Sequence, residues 1–168
     1  MNKKRIVTLV GAGVIGAGWA ARMLANGIIV NVYDPSKKAR KQLLLNTKKA
    51  LKSLKRIGLN KNAKISNLKI FSNLTDSLLS TTFVQENAPE NENLKKKLLK
   101  EIDNQLPKNI IIASSSSGLL PTRIQSLCKY PERICIGHPF NPVYLLPLVE
   151  LVSGKKTKKK TISDAKKF

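Results

Sequence analysis

The chain has 168 residues, of which 42% are hydrophobic, so it is long enough to bury one core and too apolar to be disordered. It carries 31 basic and 10 acidic residues, a formal net charge of +21. Such a charge invites a nucleic-acid function. However, only six of the basic residues are arginine, the side chain that makes bidentate contacts to phosphates and bases. We therefore expect most of the charge to be solvated surface, and we expect no nucleic-acid partner.

Cysteine usage and the N-terminus exclude two further classes. Cys128, Cys135 and His138 are too few for a four-ligand zinc site without carboxylates, so we expect no metal. Two cysteines without a CxxC pair or a disulfide framework suit a reducing cytoplasm. The segment 2–5, with three basic residues, and the apolar run 6–21 have features of a signal peptide. The run is shorter than the roughly 20 apolar residues that span a bilayer, and we expect no membrane partner.

Apolar runs and helical periodicity alternate along the chain. The predicted strands cover residues 6–10, 28–33, 68–71, 82–86, 110–113, 133–137 and 148–152. Three predicted helices cover 14–26, 75–79 and the segment around 94–102. A further predicted helix is capped by Ser36, and its apolar face extends to Ile57. A short predicted helix begins at Pro121 and includes Leu127. This alternation predicts an α/β fold with a mostly parallel sheet and helices on both faces.

The first strand is followed by a glycine-rich turn, Gly11-Ala12-Gly13-Val14-Ile15-Gly16, which fits the GxGxxG pattern. Its context is a strand before, a helix after and an acidic residue, Asp34, 18 residues after Gly16. The first glycine allows a tight turn, the second lets a pyrophosphate approach the backbone, and the third lets helix and strand pack closely. The helix N-terminus offers free N–H groups to the phosphates. This pattern predicts a dinucleotide site.

Asp34 ends the second predicted strand, where a carboxylate can accept hydrogen bonds from the adenosine ribose hydroxyls. A carboxylate there repels a 2′-phosphate, so we expect NAD rather than NADP as the cofactor. Lys37 and Lys38 follow closely enough to weaken this preference.

Polar residues also follow two later strands. The run Ser114 to Ser117 follows one of them, and His138 lies at the end of the next, where ligands of open α/β sheets bind. Glu150 follows His138 by 12 residues, within an otherwise apolar stretch, 145–152. A carboxylate among apolar neighbours needs a partner. His138 is the natural one.

Four stretches together carry a family resemblance: Gly11–Trp19, Phe83–Glu90, Ala113–Pro121 and Gly137–Glu150. They resemble the NAD-binding domain of the 3-hydroxyacyl-CoA dehydrogenase superfamily over essentially the whole chain. Within that family the members that oxidise L-carnitine are most similar. The resemblance implies a Rossmann-type, doubly wound sheet with NAD as cofactor. It also implies a hydride transfer that oxidises L-carnitine at its 3-hydroxyl group and yields 3-dehydrocarnitine.

The resemblance assigns roles to the polar residues at the strand ends. His138 matches the general base, Glu150 the carboxylate that orients it, and Ser117 the serine that hydrogen-bonds the substrate oxygen. An imidazole suits removal of a hydroxyl proton because its charge changes near neutral pH. A carboxylate behind it fixes the tautomer and stabilises the imidazolium.

Further residues match cofactor and substrate contacts of the family. Asn141 matches an asparagine near the nicotinamide, and Glu90 and Lys95 match a pair that contacts the cofactor. For the trimethylammonium group of carnitine, Tyr144 and Phe140 are the aromatic candidates, with core packing an equal alternative for Phe140. Trp19 is expected to pack the first helix onto the sheet.

Family members continue well beyond 168 residues. We therefore expect residues 1–168 to form the NAD-binding domain without its last strand, and without the helical domain through which full-length members form homodimers. Such a fragment should bind NAD but turn over slowly, because part of the substrate pocket is missing and water is not excluded. A 3-hydroxyacyl-CoA dehydrogenase, an L-gulonate 3-dehydrogenase and a non-catalytic dinucleotide-binding protein remain the alternatives.

Overall fold

The computed structural model describes residues 5–168, so Asn2, Lys3 and Lys4 of the basic N-terminal segment lie outside the described residues. In chain order the elements are β1 (Ile6–Val10), α1 (Val14–Ala25), β2 (Ile29–Tyr33), α2 (Lys37–Leu54), β3 (Leu68–Phe71), α3 (Leu74–Leu78), β4 (Phe83–Glu86), α4 (Glu92–Gln105), β5 (Ile111–Ser114), α5 (Pro121–Ile124), β6 (Ile134–Pro139), β7 (Val149–Ser153) and α6 (Lys159–Lys167). Two 3-10 turns, Ile65–Asn67 and Pro131–Arg133, precede β3 and β6.

All seven strands form one sheet in the order β3-β2-β1-β4-β5-β6-β7. Every pairing from β3 to β6 is parallel, and β7 alone runs antiparallel, next to β6. The chain builds outward from β1 in one direction and then, from β4, in the other. The carboxyl ends of β1 and β4 therefore flank the crevice in which open α/β sheets bind their ligands. This confirms the predicted doubly wound, mostly parallel sheet.

Helices cover both faces of the sheet. One apolar cluster joins residues of α1, α2 and α6 to the sheet, and the other joins residues of α3, α4 and α5 to it. β5 shows how one strand serves both clusters, because Ala113 belongs to the first and its neighbour Ile112 to the second. Strands buried on both faces are apolar at consecutive positions, which is why the sequence contains short continuous apolar runs.

Helices α2 and α4 begin next to residues whose side chains cap them. The Ser36 hydroxyl accepts a hydrogen bond from the Ala39 N–H at 3.2 Å, which confirms the predicted cap of α2. In the same way the Asn91 side chain accepts from the Leu94 N–H at the start of α4. Among the helices of residues 5–168, none combines the length and the apolar character needed to cross a membrane.

Two helix ends differ from the prediction. Ile57 was expected on the apolar face of α2, but it is 67% exposed because the helix ends at Leu54 and the chain turns toward Gly58, whose φ is +107°. Leu127 was expected on the helix opened by Pro121, but α5 ends at Ile124 and Leu127 is 48% exposed. In both cases the apolar periodicity continues past the last helical residue, so periodicity alone overestimated the length of the helix.

Candidate active site

The turn between β1 and α1 depends on its glycines for two different reasons. Gly11 has a φ of +113°, in the region that favours glycine, and its N–H donates to the Tyr33 carbonyl at 2.8 Å. A Cβ atom on Gly16 would lie 2.1 Å from the carbonyl oxygen of Gly11. A Cβ atom on Gly13 would meet nothing within 4 Å. The turn is therefore closed on its inner side and open at Gly13.

The open side of the turn leads to the start of α1. The first turn of this helix contains no acidic residue, and no side chain caps it. Val14 is 65% exposed, and the N–H groups of the first helical residues have no acceptor within the helix. Free donors, the positive end of the helix dipole and the space at Gly13 fit the pyrophosphate of a dinucleotide.

Asp34 lies beside this turn. Its two carboxylate oxygens accept backbone hydrogen bonds from Ala12 and Ser36, each at 2.8 Å. The carboxylate is thereby fixed against the glycine turn, with lone pairs remaining for ribose hydroxyls. Lys37 and Lys38, at the exposed start of α2, lie near it in the chain, as the sequence indicated.

The serine run at the end of β5 contains three anchored hydroxyls and one free one. The anchored hydroxyls donate to side chains that follow β4 or end it: Ser114 to Glu86, Ser115 to Asn87 at 2.7 Å, and Ser116 to Glu90 at 2.5 Å. The hydroxyl of Ser117 donates to no protein group within residues 5–168, and the residue is exposed. The structure thus distinguishes Ser117 from its neighbours as the serine that is available to a ligand.

Glu90 holds the backbone of this run. Its Oε1 accepts from the N–H groups of Ser117 and Gly118, each at 3.0 Å, besides the Ser116 hydroxyl. Partial burial on its own raises the pKa of Glu90. The hydrogen bonds from Ser116, Gly118 and Ser117 and the nearby Lys95 ammonium outweigh burial, and they hold the pKa below its ordinary value. Glu90, which lies between β4 and α4, is therefore a carboxylate anchored to the loop after β5 that carries Ser117.

Lys95 is close to Glu90 but faces the protein interior. Its Nζ lies 2.8 and 3.0 Å from the two carboxylate oxygens of Glu86 and 2.9 Å from the Ala88 carbonyl, whereas Glu90 Oε2 is 3.6 Å away. The Lys95 side chain is 1% exposed. The expected cofactor contact of Lys95 is therefore not available in this arrangement. Sequence reasoning did not single out Glu86, although a carboxylate ending a buried apolar strand is a signal that it needs a partner.

His138 and Glu150 form a cross-strand pair. They face each other in the antiparallel register of β6 and β7, and His138 Nδ1 lies 3.2 Å from Glu150 Oε2. The structure therefore contains the pairing that the sequence predicted. The surroundings differ from the expectation, because the Glu150 side chain is 59% exposed and Leu148 and Val149 beside it are exposed as well. β7 is an edge strand, so its apolar residues do not bury the carboxylate.

The fold places the remaining predicted residues in different surroundings. Asn141 is exposed just after β6, and the ring of Phe140 lies 5.4 Å from that of His138, centroid to centroid. The structure does not bring Tyr144 together with His138, because Tyr144 packs against the alanine-rich contact between α1 and α2. Trp19 packs against the α1 face of the sheet, as predicted, and its Nε1 donates to the Ser115 hydroxyl at 3.4 Å.

Two L-carnitine dehydrogenases are among the relatives of this sequence. The protein from Bacillus cereus is 42% identical over 167 residues, which are 99% of this chain and 51% of that protein. The protein from Burkholderia mallei is 46% identical over 156 residues, covering 93% of this chain and 49% of that protein. The chain thus spans about half the length of the curated relatives it matches.

Solved structures show the same fold. The (S)-3-hydroxybutyryl-CoA dehydrogenase from Ralstonia eutropha superposes with a TM-score of 0.89 at 32% identity, over 98% of this chain and 59% of that one. The 3-hydroxybutyryl-CoA dehydrogenase from Escherichia coli gives 0.88 at 27% identity, over 96% of this chain and 35% of that one. The family model for the NAD-binding domain of 3-hydroxyacyl-CoA dehydrogenase matches residues 6–168, which include every strand and helix described above. The chain therefore belongs to the 3-hydroxyacyl-CoA dehydrogenase family, as its NAD-binding domain.

Proposed function

We propose that this chain binds NAD and serves the oxidation of the 3-hydroxyl group of L-carnitine to 3-dehydrocarnitine. The observation that carries the proposal is the His138–Glu150 pair, at 3.2 Å, on the sheet that also bears the glycine turn. The names of the relatives support L-carnitine as the substrate. The likeness to 3-hydroxybutyryl-CoA dehydrogenases favours a 3-hydroxyacyl-CoA as the second candidate.

In this proposal the pair performs the proton transfer. Glu150 accepts the hydrogen bond of the Nδ1–H group of His138, which leaves the lone pair of the neutral ring on Nε2. Nε2 then takes the proton of the substrate hydroxyl, and Glu150 stabilises the imidazolium that forms. General-base catalysis of this kind contributes about 10²–10⁴ in rate. Ser117, whose hydroxyl has no partner in the described part of the chain, donates to the substrate oxygen and orients it.

We assign the cofactor contacts to the residues of the open turn and its surroundings. The backbone N–H groups of Gly13 to Gly16 hold the pyrophosphate, and Asp34 accepts from the ribose hydroxyls. Bound NAD supplies the hydride acceptor for the carbon that carries the hydroxyl. Asn141 and Glu90 lie after strands β6 and β4, and we place them beside the nicotinamide half.

The trimethylammonium group of carnitine needs a partner of low polarity or negative potential. We place it near Phe140, whose ring is next to that of His138, rather than near Tyr144, which packs on α1 and α2. A cation over an aromatic face gains about 0.5–2 kcal/mol. The exposed carboxylate of Glu150, which contacts His138, adds negative potential beside the same histidine.

We also propose the cytoplasm as the compartment. Cys128 and Cys135 are both free thiols, and Cys135 lies in the buried strand β6. Burial raises the pKa of each thiol to about 12, so neither is disposed to form a thiolate at neutral pH. Recovery of the protein with both thiols unmodified from the cytosolic fraction of its cells is the expected result.

The test measures cofactor binding first and chemistry second. We expect NADH to bind more tightly than NADPH, and to remain bound at high salt, where generic attraction to a cationic surface is screened. NADH formation is then followed with the chain in stoichiometric excess over NAD, so that slow turnover is visible, using L-carnitine, 3-hydroxybutyryl-CoA and L-gulonate. We expect L-carnitine to give the fastest reaction.

Variants connect that reaction to the proposed residues. His138→Gln and Glu150→Gln should slow NADH formation by about 10²–10⁴ and by a smaller factor, respectively, without weakening NADH binding. Glu101→Gln is the matched control, because Glu101 is an exposed glutamate of α4, and it should react at the parent rate. A His138→Gln variant that reacts as fast as the parent, or a parent that forms no NADH from any of the three substrates, would contradict the proposal.

A further inference from the structure

Glu86 and Lys95 are buried beside the loop that carries Ser117, and neither has a role in the mechanism above. We propose that both are positioning residues. They hold Glu90, and through Glu90 the backbone of residues 116–118, in the geometry that binds NAD and the substrate. This inference rests on the proposed function, because it concerns the arrangement of that same site.

The Glu86 carboxylate is fully occupied by protein groups. Its Oε1 accepts from the Ala88 N–H and from Lys95 Nζ, and its Oε2 accepts from Lys95 Nζ and the Ser114 hydroxyl. The side chain is 0% exposed. A carboxylate that is enclosed and supplied with four donor contacts is not available to a cofactor. Its effect on the site must pass through the groups that it holds.

The Lys95 ammonium is placed between two carboxylates. It lies 2.8 Å from Glu86 Oε1 and 3.6 Å from Glu90 Oε2, and it also donates to the Ala88 carbonyl. Without this cation the buried Glu86 carboxylate and the partly exposed Glu90 carboxylate would repel each other. Lys95 therefore attracts the Glu90 side chain, which is 41% exposed, toward the buried Glu86 carboxylate.

Glu90 transfers this constraint to the neighbouring strand end. Glu86 and Ser114 are register partners on β4 and β5, so the two loops that follow these strands run side by side. The Glu90 carboxylate crosses between the loops and accepts the N–H groups of Ser117 and Gly118. Both N–H groups that flank the Ser117 side chain are thereby fixed. The direction of its free hydroxyl is set by a carboxylate that Lys95 and Glu86 hold in place.

The test removes the buried ion pair without leaving a buried charge. The double variant Glu86→Gln with Lys95→Met keeps the approximate volume of both side chains, and neutral replacement of a buried pair typically preserves stability. We expect its thermal midpoint to stay close to that of the parent chain. We expect its dissociation constant for NADH to rise by about tenfold, as coupling between contacting residues commonly produces. Amide hydrogen exchange at Ser117 and Gly118 should accelerate.

A second buried ion pair provides the matched control. Arg133 Nη2 and Asp103 Oδ1 lie 2.7 Å apart, with side chains 3% and 0% exposed. Arg133 precedes β6 and so lies at the amino ends of the parallel strands, whereas the glycine turn follows the carboxyl end of β1. The double variant Arg133→Met with Asp103→Asn should leave the NADH dissociation constant and the exchange at Ser117 unchanged. A merely structural role for Glu86 and Lys95 predicts that both double variants behave alike.

Glu90→Gln gives an independent measurement on a more exposed side chain, and it should reproduce the weaker NADH binding and the faster exchange even where the double variant fails to fold. Parent-like NADH affinity together with parent-like exchange, in either the Glu86/Lys95 double variant or Glu90→Gln, overturns the proposal. Absence of NADH binding in the parent chain overturns the proposed function instead. In that case the exchange rates at Ser117 and Gly118 still decide whether Glu86 and Lys95 position the loop.

Discussion

Gly16 packs so closely on Gly11 that it has no room for a side chain, because a Cβ atom on Gly16 would lie 2.1 Å from the Gly11 carbonyl oxygen. At Gly13, three residues earlier, the same added atom would meet nothing within 4 Å. Two glycines of one turn are therefore required for different reasons. Gly16 is required by the packing of the protein itself, and the space at Gly13 is left for a ligand.

This difference predicts opposite results for two alanine variants. Gly16→Ala should lower the thermal midpoint strongly, because backbone must move to relieve the contact. Gly13→Ala should change stability by about 1 kcal/mol or less, since its backbone at φ −70° and ψ −167° accepts alanine. Its methyl group would fill the approach to the helix N-terminus, so NADH affinity should fall. Thermal unfolding and NADH titration of both variants measure the two effects, and a Gly13→Ala variant that binds NADH like the parent chain would argue against a pyrophosphate at this turn.

Asp34 determines the expected choice between NADH and NADPH. The Asp34→Asn variant keeps one acceptor oxygen but loses the negative charge and one of the two backbone hydrogen bonds that fix the side chain. NADH should bind more weakly, while NADPH loses a repulsive neighbour and can use Lys37 and Lys38. We expect the ratio of the NADPH to the NADH dissociation constant to fall by about tenfold, equivalent to about 1.4 kcal/mol. Asp76→Asn, on the exposed start of α3, is the control that should leave the ratio unchanged.

Much of the fold and part of the site could be predicted because the signals are local. Short apolar runs indicated strands buried on both faces, and the glycine spacing indicated the turn. The His138–Glu150 pairing was predicted from a carboxylate in an apolar stretch, and the pair is present because the two residues are register partners on β6 and β7. The exposure of Glu150 could not, since it depends on β7 being the last strand of the sheet.

The network around Glu86 shows why the rest could not be predicted. Lys95 lies one helical turn into α4 and Ser114 ends β5, so their meeting at Glu86 depends on the register of β4 and β5. Tyr144 illustrates the same limit, because its aromatic character suited a cation site but the fold uses it against α1 and α2. Residue type indicates which chemistry is available, whereas tertiary packing decides which side chains face the ligand.

We expect the folding stability to depend on pH through Glu90, which is anchored to the serine loop. Its pKa in the folded chain is held below the ordinary glutamate value of 4.5. A carboxylate with a depressed pKa stabilises the folded state above pH 4.5, and this contribution is lost as the pH falls through the folded-state pKa. We expect the difference in unfolding free energy between the parent chain and Glu90→Gln to be constant from pH 7 to about pH 5, and to shrink in more acidic solution. Urea unfolding at a series of pH values measures it, and a difference that persists unchanged to about pH 3 would contradict the assignment.

Arg133 is the largest single polar contribution that we expect outside the site. Its guanidinium donates to the Asp103 carboxylate through Nε and Nη2, at 2.9 and 2.7 Å, and also to four backbone carbonyls, those of Asp103, Leu106, Pro107 and Ile110. Arg133→Ala leaves Asp103 as a buried carboxylate without its cation, and breaking such a pair typically costs about 3–5 kcal/mol. Urea unfolding should show a loss of this size, with NADH affinity unchanged at temperatures where the variant is folded.

The neutral double variant Arg133→Met with Asp103→Asn is the control for this prediction. Because it removes the Asp103 charge as well as its partner, it should recover most of the loss in unfolding free energy. A double variant as unstable as Arg133→Ala would assign the effect to the four lost carbonyl contacts instead of the unpaired carboxylate.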